Sequence, residues 1–333
     1  MLLIVLAATT CAPSTPTRQP VAETPASALT PVLPLPTPTM TWSYAEMTVG
    51  FIQAGSESQW QINNTTSFKE AAQNLGITLK LFDAQFNPEA QITAFHDLIQ
   101  DPDVNAIVIN AIEPTGWDEL LKQARTAGKL VIFEDRPIAA PEELYTTFIG
   151  SDFVEEGRQA AVEMCQQLNG SQKNVWELTG YVADRDAYKV NQRSEGFREK
   201  TGECGITLSP TSVANQSDME DEAALETFLR NTDIQGLFLQ NQYLAKSALR
   251  AIKAAGLKPG IDIKIVAMDC WDTGGVRESM WAGEINACVE YNFLLAPQVY
   301  AAALKALNGE LPPKRLPVQE HVLYAKDVDH SHY

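Results

Sequence analysis

The sequence predicts an α/β protein built from two doubly wound domains with parallel-sheet cores, and three observations predict it. After residue 46, short apolar runs rich in Val, Ile and Phe alternate with longer segments of helical periodicity, the rhythm of consecutive βα units. Glycines stand where two of those helices should close, at Gly76 and Gly128. The chain has 333 residues of which 45% are hydrophobic, enough for two packed cores at the usual ~100–200 residues per domain.

Taken in order, residues 47–52 read as a strand, 60–75 as a helix, 77–82 as a strand, 88–100 as a helix, 106–109 as a strand, 116–127 as a helix and 130–134 as a strand. A second set begins near Ser151. It comprises helices over 153–168, 188–201, 218–231 and 243–255, with strands over 173–178, 205–210, 234–239 and 264–267. A short helix over 274–282, a strand over 287–290, an alanine-rich helix over 294–307 and one strand-like run over 317–323 complete the body.

The first 42 residues are different material. Residues 1–8 are almost continuously apolar but far short of the ~20 needed to span a bilayer, so they read as the end of a signal-peptide core. They lead into Ala8-Thr9-Thr10-Cys11, which resembles a lipoprotein processing site and would place a lipid on Cys11; the other reading is a start placed too far upstream. Eight prolines between residues 12 and 39 favour extended, unpacked chain, because proline fixes φ and lacks a backbone donor. The expected parse is a leader over 1–11 and a tether over 12–43.

With 25 basic and 42 acidic side chains the net charge is −17, which excludes nucleic acid as a natural partner. The leader and tether contribute only Arg18 and Glu23, so the acidity belongs to the body. Five cysteines include no C-x-x-C pair, and three of the four histidines lie at or beyond His321, which disfavours a Cys/His metal site. Cys165 and Cys204 are able to pair or to remain buried thiols.

No G-x-G-x-x-G, Walker loop, nucleophile elbow or zinc motif occurs, so neither a nucleotide cofactor nor motif-based catalysis has support, and no cofactor is expected. In open parallel sheets ligands sit beyond the carboxyl ends of the strands. That rule selects Gln53 to Trp60, Asp83, Asn110 to Glu113, Glu134-Asp135-Arg136, Gln240-Asn241-Gln242, Asp269 and Glu290-Tyr291-Asn292. Acids, amides, an arginine and a tryptophan suit a polyhydroxylated ligand with an apolar ring face. Each has a plainer alternative: a strand-end ion pair for Asp135 and Arg136, core packing for Trp60 and Trp117, helix capping for Asn241, Asp269 and Glu290, and simple solvation for Tyr181, Asp184 and Arg185.

Several stretches carry a family likeness: Val49-Gly50-Phe51 with Gly55-Ser56-Glu57-Ser58-Gln59-Trp60, Glu113-Pro114-Thr115-Gly116-Trp117, Asp135-Arg136, Phe148 through Gly157, Ala254 through Gly260, and Asn286-Ala287-Cys288-Val289-Glu290. The chain thereby resembles the periplasmic sugar-binding proteins of bacterial ABC transporters, with the galactofuranose-binding subgroup most similar. The resemblance implies the type I periplasmic binding protein fold: two Rossmann-like lobes joined by a three-segment hinge, here 44–150 with 291–317 and 151–290 with 318–333, crossing near Ser151, Glu290 and Pro317. It implies a monosaccharide, a galactofuranose-like hexose or a pentose such as ribose, held between the lobes of a monomer by Ser56, Glu57, Trp60, Asp135, Arg136, Asn241, Asp269 and Glu290. The family's arginine before the Gly196-Phe197 pair has no clean match, Arg193 being the nearest candidate. Asn191 is expected to face inward and Arg193 to face solvent. An ABC permease would then be the partner, a lipid-anchored position outside the cytoplasm the location, and no covalent chemistry would be required. The alternatives are a carbohydrate-active enzyme working through carboxylates, or a sugar or autoinducer sensor.

Overall fold

The computed structural model describes residues 41–56, 58–169, 173–179, 187–212, 218–270 and 275–328, with no side-chain description for 210–212 or 218–221. β1 (Thr48–Gln53), α1 (Gln59–Leu75), β2 (Thr78–Asp83), α2 (Pro88–Gln100), β3 (Ala106–Ile109), α3 (Asp118–Thr126), β4 (Leu130–Glu134) and β5 (Thr147–Gly150) form the first succession of units. The second runs through α4 (Phe153–Gln167), β6 (Lys173–Leu178), α5 (Ala187–Glu203), β7 (Ile206–Ser212), α6 (Asp218–Asn231), β8 (Gly236–Leu239), α7 (Ala245–Ala254), β9 (Lys264–Met268), α8 (Val276–Trp281) and β10 (Ala287–Val289). After α9 (Ala296–Leu307) come β11 (Arg315–Pro317) and β12 (Val322–Leu323).

These strands make two six-stranded sheets, β11-β5-β4-β3-β1-β2 and β12-β10-β9-β8-β6-β7. Every pairing is parallel except β10 with β12. This is the α/β class that the alternation predicts. The central strands have the composition that parallel sheets covered on both faces require: Ala-Ile-Val-Ile in β3 and Gly-Leu-Phe-Leu in β8 are buried throughout. The outer strand β2 leaves Leu81 and Phe82 exposed.

Capping residues place the helix ends. Ser58 accepts from the Gln61 N–H at the start of α1, and Gly76 closes it with φ 75°. Asn87 accepts from two backbone N–H groups of α2, and Asp152 accepts from Glu155 N as α4 begins. The chain moves between sheets three times: from β5 into α4, from β10 into α9, and from β11 to β12. Helix α9 packs on the first sheet's core, where Val299 and Tyr300 meet Phe68, whose carbonyl accepts from the Tyr300 hydroxyl at 3.0 Å.

Several elements depart from the sequence expectation for identifiable reasons. β5 was not anticipated because four residues after a proline-punctuated loop carry little periodicity. The single run over 317–323 is two strands in different sheets. The expected start of α3 at Gly116 falls instead at Asp118, since Gly116 is left-handed at φ 92°. A 3-10 turn occupies 242–244 before α7 starts.

Helices α4 and α5 approach backbone to backbone. A Cβ on Gly157 would fall closer than 3.0 Å to the Arg193 carbonyl, and one on Gly196 would do the same at Val154. Cys165 and Cys204 join the end of α4 to the end of α5 as a disulfide, settling the alternatives left open for that pair. A second disulfide, Cys270–Cys288, ties the residue two beyond β9 to the middle of β10 and was not foreseen. Cys11, the expected leader and most of the tether lie outside the described residues. Among those described, no helix is long and apolar enough to cross a membrane.

Candidate functional site

In both sheets the strand order reverses beside the first strand, between β1 and β3 and between β6 and β8, and ligands bind at such switch points. At the first one, Gln53 at the end of β1 is buried and donates to Asn64 Oδ1 at 2.8 Å. Asn64 and Asn110 in turn donate to the two carboxylate oxygens of Glu134, at 3.2 and 2.9 Å. Glu134 is fully buried, and burial together with the adjacent Asp135 charge pushes its carboxyl up to about 8.

Asp135 follows Glu134 in the left-handed region at φ 59°, fixed by its N–H bonding to Ile149 O at 2.9 Å. From there Asp135 has a partner within its own sheet, accepting from Asn110 Nδ2 at 3.3 Å, and others outside it. Its carboxylate accepts from the Tyr291 hydroxyl on the second crossing and lies 3.6 Å from Lys189 Nζ of α5. Lys189 also donates to the Tyr291 oxygen at 2.6 Å. Arg136 is buried, 3.8 Å from Asp135 through Nε, with its guanidinium over the Phe86 ring.

Trp60 stacks on Tyr291 with ring centroids 5.0 Å apart, and Phe153 meets the same tyrosine edge-on. Burial and the Asp135 charge hold the Tyr291 hydroxyl well above its ordinary value, so it remains a donor. Trp60 Nε1 and Asn110 Oδ1 are buried with no hydrogen-bond partner among the described residues.

Around the second switch point the arrangement centres on Arg193. It is buried and donates through Nε to Glu156 at 2.6 Å, through Nη1 to the Gln240 carbonyl at 2.9 Å and through Nη2 to Asp269 at 3.0 Å. Burial works against its charge, but the Glu156 and Asp269 carboxylates hold the guanidinium above the usual arginine range. Asn191, two residues earlier on α5, is exposed. The inward position therefore belongs to Arg193 and not to Asn191, reversing the sequence expectation: Arg193 is three residues from Gly196 on the helix face that meets α4, and Asn191 is not on that face.

The remaining predicted residues are more dispersed. Ser56 is exposed in the segment after β1, and Glu57 lies outside the described residues, as do Tyr181, Asp184 and Arg185. Asn241 caps the turn after β8 through Tyr243 N at 3.1 Å while donating to Thr179 O. Asp269 takes φ 77° at the end of β9. Glu290 begins the second crossing, its carboxylate 3.1 Å from His321 Nδ1. Trp117 is core, packed against Phe95 and Phe133.

The strand-end rule selects Trp60, Glu134, Asp135, Arg136, Asp269 and Tyr291, but Glu134 and Tyr291 are not placed in the expected ligand set, and Lys189, Glu156 and Glu320 are not selected at all. Tyr291 carried a signal, as an aromatic directly after a strand end. Glu320, on the third crossing, carried none. Its carboxyl accepts from Ser151 Oγ on the first crossing and from Asn292 N on the second at 3.4 Å. Burial and the neighbouring Glu156 charge push it up to about 10, so it stays protonated beside Glu156. No group of His, Cys, Asp or Glu among the described residues is placed to hold a metal ion.

The raised Glu134 value makes stability depend on pH. A carboxyl that titrates near 8 when folded but near 4.5 when unfolded contributes stability that is fully present below about pH 4.5. That contribution is lost as pH rises through about 8, at roughly 1.4 kcal/mol per pH unit. Glu134→Gln should flatten this descent, because the introduced amide has no proton to lose in this range. Urea titrations at pH 5, 6.5 and 8 measure the slope, and an unchanged slope would refute the assignment.

The family model described as "Periplasmic binding protein domain" matches residues 49–311. A galactofuranose-binding protein of Escherichia coli is 32% identical over 290 residues, covering 85% of this chain and 89% of that protein. A Mycobacterium smegmatis protein solved in complex with β-D-fucofuranose is 35% identical with a TM-score of 0.66, covering 84% of this chain and 92% of its own. The binding component of an arabinose ABC transporter from Shewanella, bound to α- and β-L-arabinofuranose, is 32% identical with a TM-score of 0.68 and the same coverage, 84% and 92%.

Proposed function

We infer, for a chain that belongs to the periplasmic binding protein domain family, that it captures a monosaccharide between its two lobes outside the cytoplasm and delivers it to an ABC permease. Membership of a binding-protein family makes it a non-catalytic component. The ligand we propose is a sugar in its furanose form, a galactofuranose-like hexose or a pentose. The observation carrying that choice is that three relatives at 32–35% identity are each named or solved with a furanose.

The site supports the reading chemically. Asp135 and Arg136 on one side and Asp269 with Arg193 on the other supply charged acceptors and donors, which bond hydroxyl groups more strongly than neutral pairs do. Trp60 offers a ring for the sugar's apolar face, and its indole N–H and the Asn110 carbonyl oxygen remain to be satisfied. Ser56, Glu57, Asn191, Asn241 and Glu290 complete the proposed set, with Asn191 reaching a ligand only from the exposed rim. A ligand that touches both lobes stabilises the closed arrangement relative to the open one, and closure is the form the permease would read. A membrane anchor through a lipid on Cys11 belongs to the same proposal and rests on the apolar run and proline-rich spacer flanking it; the mass of the mature N-terminus tests it, a free Cys11 thiol removing the anchor.

A thermal-shift screen of pentoses and hexoses, followed by calorimetry, tests the reading. Stabilisation by L-arabinose or a galactofuranoside with 1:1 stoichiometry and unchanged sugar is expected. No response to any sugar, or its conversion to product, would overturn it. Arg136→Ala should weaken binding about 10- to 100-fold, the equivalent of losing about 1.5–3 kcal/mol of charge-assisted bonding.

A further inference from the structure

We propose that the Cys270–Cys288 disulfide is a positioning element for sugar binding, holding the Asp269 carboxylate in the conformation in which it meets Arg193. The inference rests on the reading that Asp269 contacts the ligand. Asp269 and Cys270 are consecutive non-glycine residues in the left-handed region, at φ 77° and 36°. L side chains disfavour that region, and such geometry persists only where its surroundings over-determine it.

Here the surroundings are identifiable. The Asp269 N–H bonds to Val289 O at 3.0 Å, and its carboxylate accepts from Arg193. Arg277 Nε donates to the Cys270 carbonyl at 3.0 Å. The disulfide adds a covalent tie from Cys270 to Cys288, the residue next to Val289 on β10. In the sheet register Cys288 lies opposite Ala267 and Val289 opposite Met268, so the tie and the Asp269 hydrogen bond act on the same short piece of ladder. That piece ends one residue before Glu290 and the second crossing. Both sulfurs are buried in the core formed by Leu239, Ile265 and Met280, away from a solvent-exposed staple's usual place.

The second disulfide supplies an internal control. Cys165–Cys204 lies in the same lobe but joins the ends of α4 and α5, beside Leu168 and Leu208. It constrains the unfolded chain as any cross-link does without touching Asp269. A general stabilising role would make the two bridges alike; a positioning role makes them differ.

The experiment compares the full chain with three variants: Cys270→Ala with Cys288→Ala, Cys165→Ala with Cys204→Ala, and Cys270→Gly with Cys288→Ala. Glycine adopts positive φ without strain, so it should restore the turn that alanine does not hold. Hydrogen exchange at the Asp269 amide is read without ligand, and affinity is read by calorimetry with L-arabinose. The alanine pair at 270 and 288 should exchange at least tenfold faster at Asp269 and bind about tenfold more weakly. The glycine variant should return both to within about threefold of the parent, and the 165/204 pair should leave both unchanged. The proposal is overturned if the 270/288 alanine pair matches the parent, if glycine fails to rescue, or if both bridges have equal effects. If the alanine pair does not fold, a phosphine reductant applied to the native protein, with the reduced pair identified by mass, gives the same two readouts. Absence of L-arabinose binding by the parent would count against the sugar reading alone, while the exchange arm still decides the positioning role.

Discussion

Replacing Arg193 with alanine is expected to lower unfolding free energy at pH 8 by about 3–5 kcal/mol, the usual consequence of removing one partner from a buried ion pair. Glu156 is fully buried, and its only described cation is this guanidinium at 2.6 Å. Burial already raises the Glu156 value, with Arg193 opposing that rise. Without the arginine, folded Glu156 would titrate higher still while the unfolded carboxyl stays near its ordinary value. The folded variant then binds the extra proton, so its stability increases as pH falls toward 4.5. Urea denaturation at pH 8 and pH 5 should show the deficit shrinking at the lower value. Equal deficits would show that the loss is packing and not charge. Arg193→Lys should rescue part of the stability but little of the sugar affinity, because a single ammonium does not span Glu156, the Gln240 carbonyl and Asp269 as the planar fork does.

Gly157→Ala should cost about 3 kcal/mol or more, at the upper end for overpacking, because the obstacle is backbone and not a flexible side chain. The introduced methyl would meet the Arg193 carbonyl carbon and oxygen and the Phe197 nitrogen, all closer than 3.0 Å. Relief requires α5 to move away from α4 and to carry Arg193 with it. Gly196→Ala strikes the same contact from the other helix, at the Val154 carbonyl. The double variant should therefore cost clearly less than the sum of the singles, since the first substitution already opens the gap that the second needs. Full additivity would mean that the two sites relax independently, contrary to the shared contact.

Those glycines also explain which parts of the site could be read in advance. Asp135, Arg136 and Asp269 follow strands whose apolar runs end visibly, so the rule that places ligands at carboxyl ends selects them from composition alone. Trp60 is likewise announced by its place in the first turn of α1. Choosing between Asn191 and Arg193 needed something else, because two residues apart on a helix differ by roughly 200° in direction. The pertinent clue was Gly196, which marks the face of α5 that touches another helix and has Arg193 three residues before it. Tyr291 and Glu320 are site-building residues only because separate crossings bring them to Asp135 and Glu156, from 156 and 164 positions away in the numbering. No window of local periodicity spans that separation. The Cys270–Cys288 pairing was hidden for a similar reason, since it depends on the register of β10 against β9.

The Glu320 carboxyl gives the two lobes a mechanical property. It sits on one crossing and bonds to Ser151 and Asn292 on the other two, so three chain segments meet at a single side chain. Displacing any one of these segments relative to the others at that point would have to break the shared contacts first. Because burial and the Glu156 charge push the carboxyl up to about 10, this meeting point of three segments is held by a group that carries no charge of its own at neutral pH.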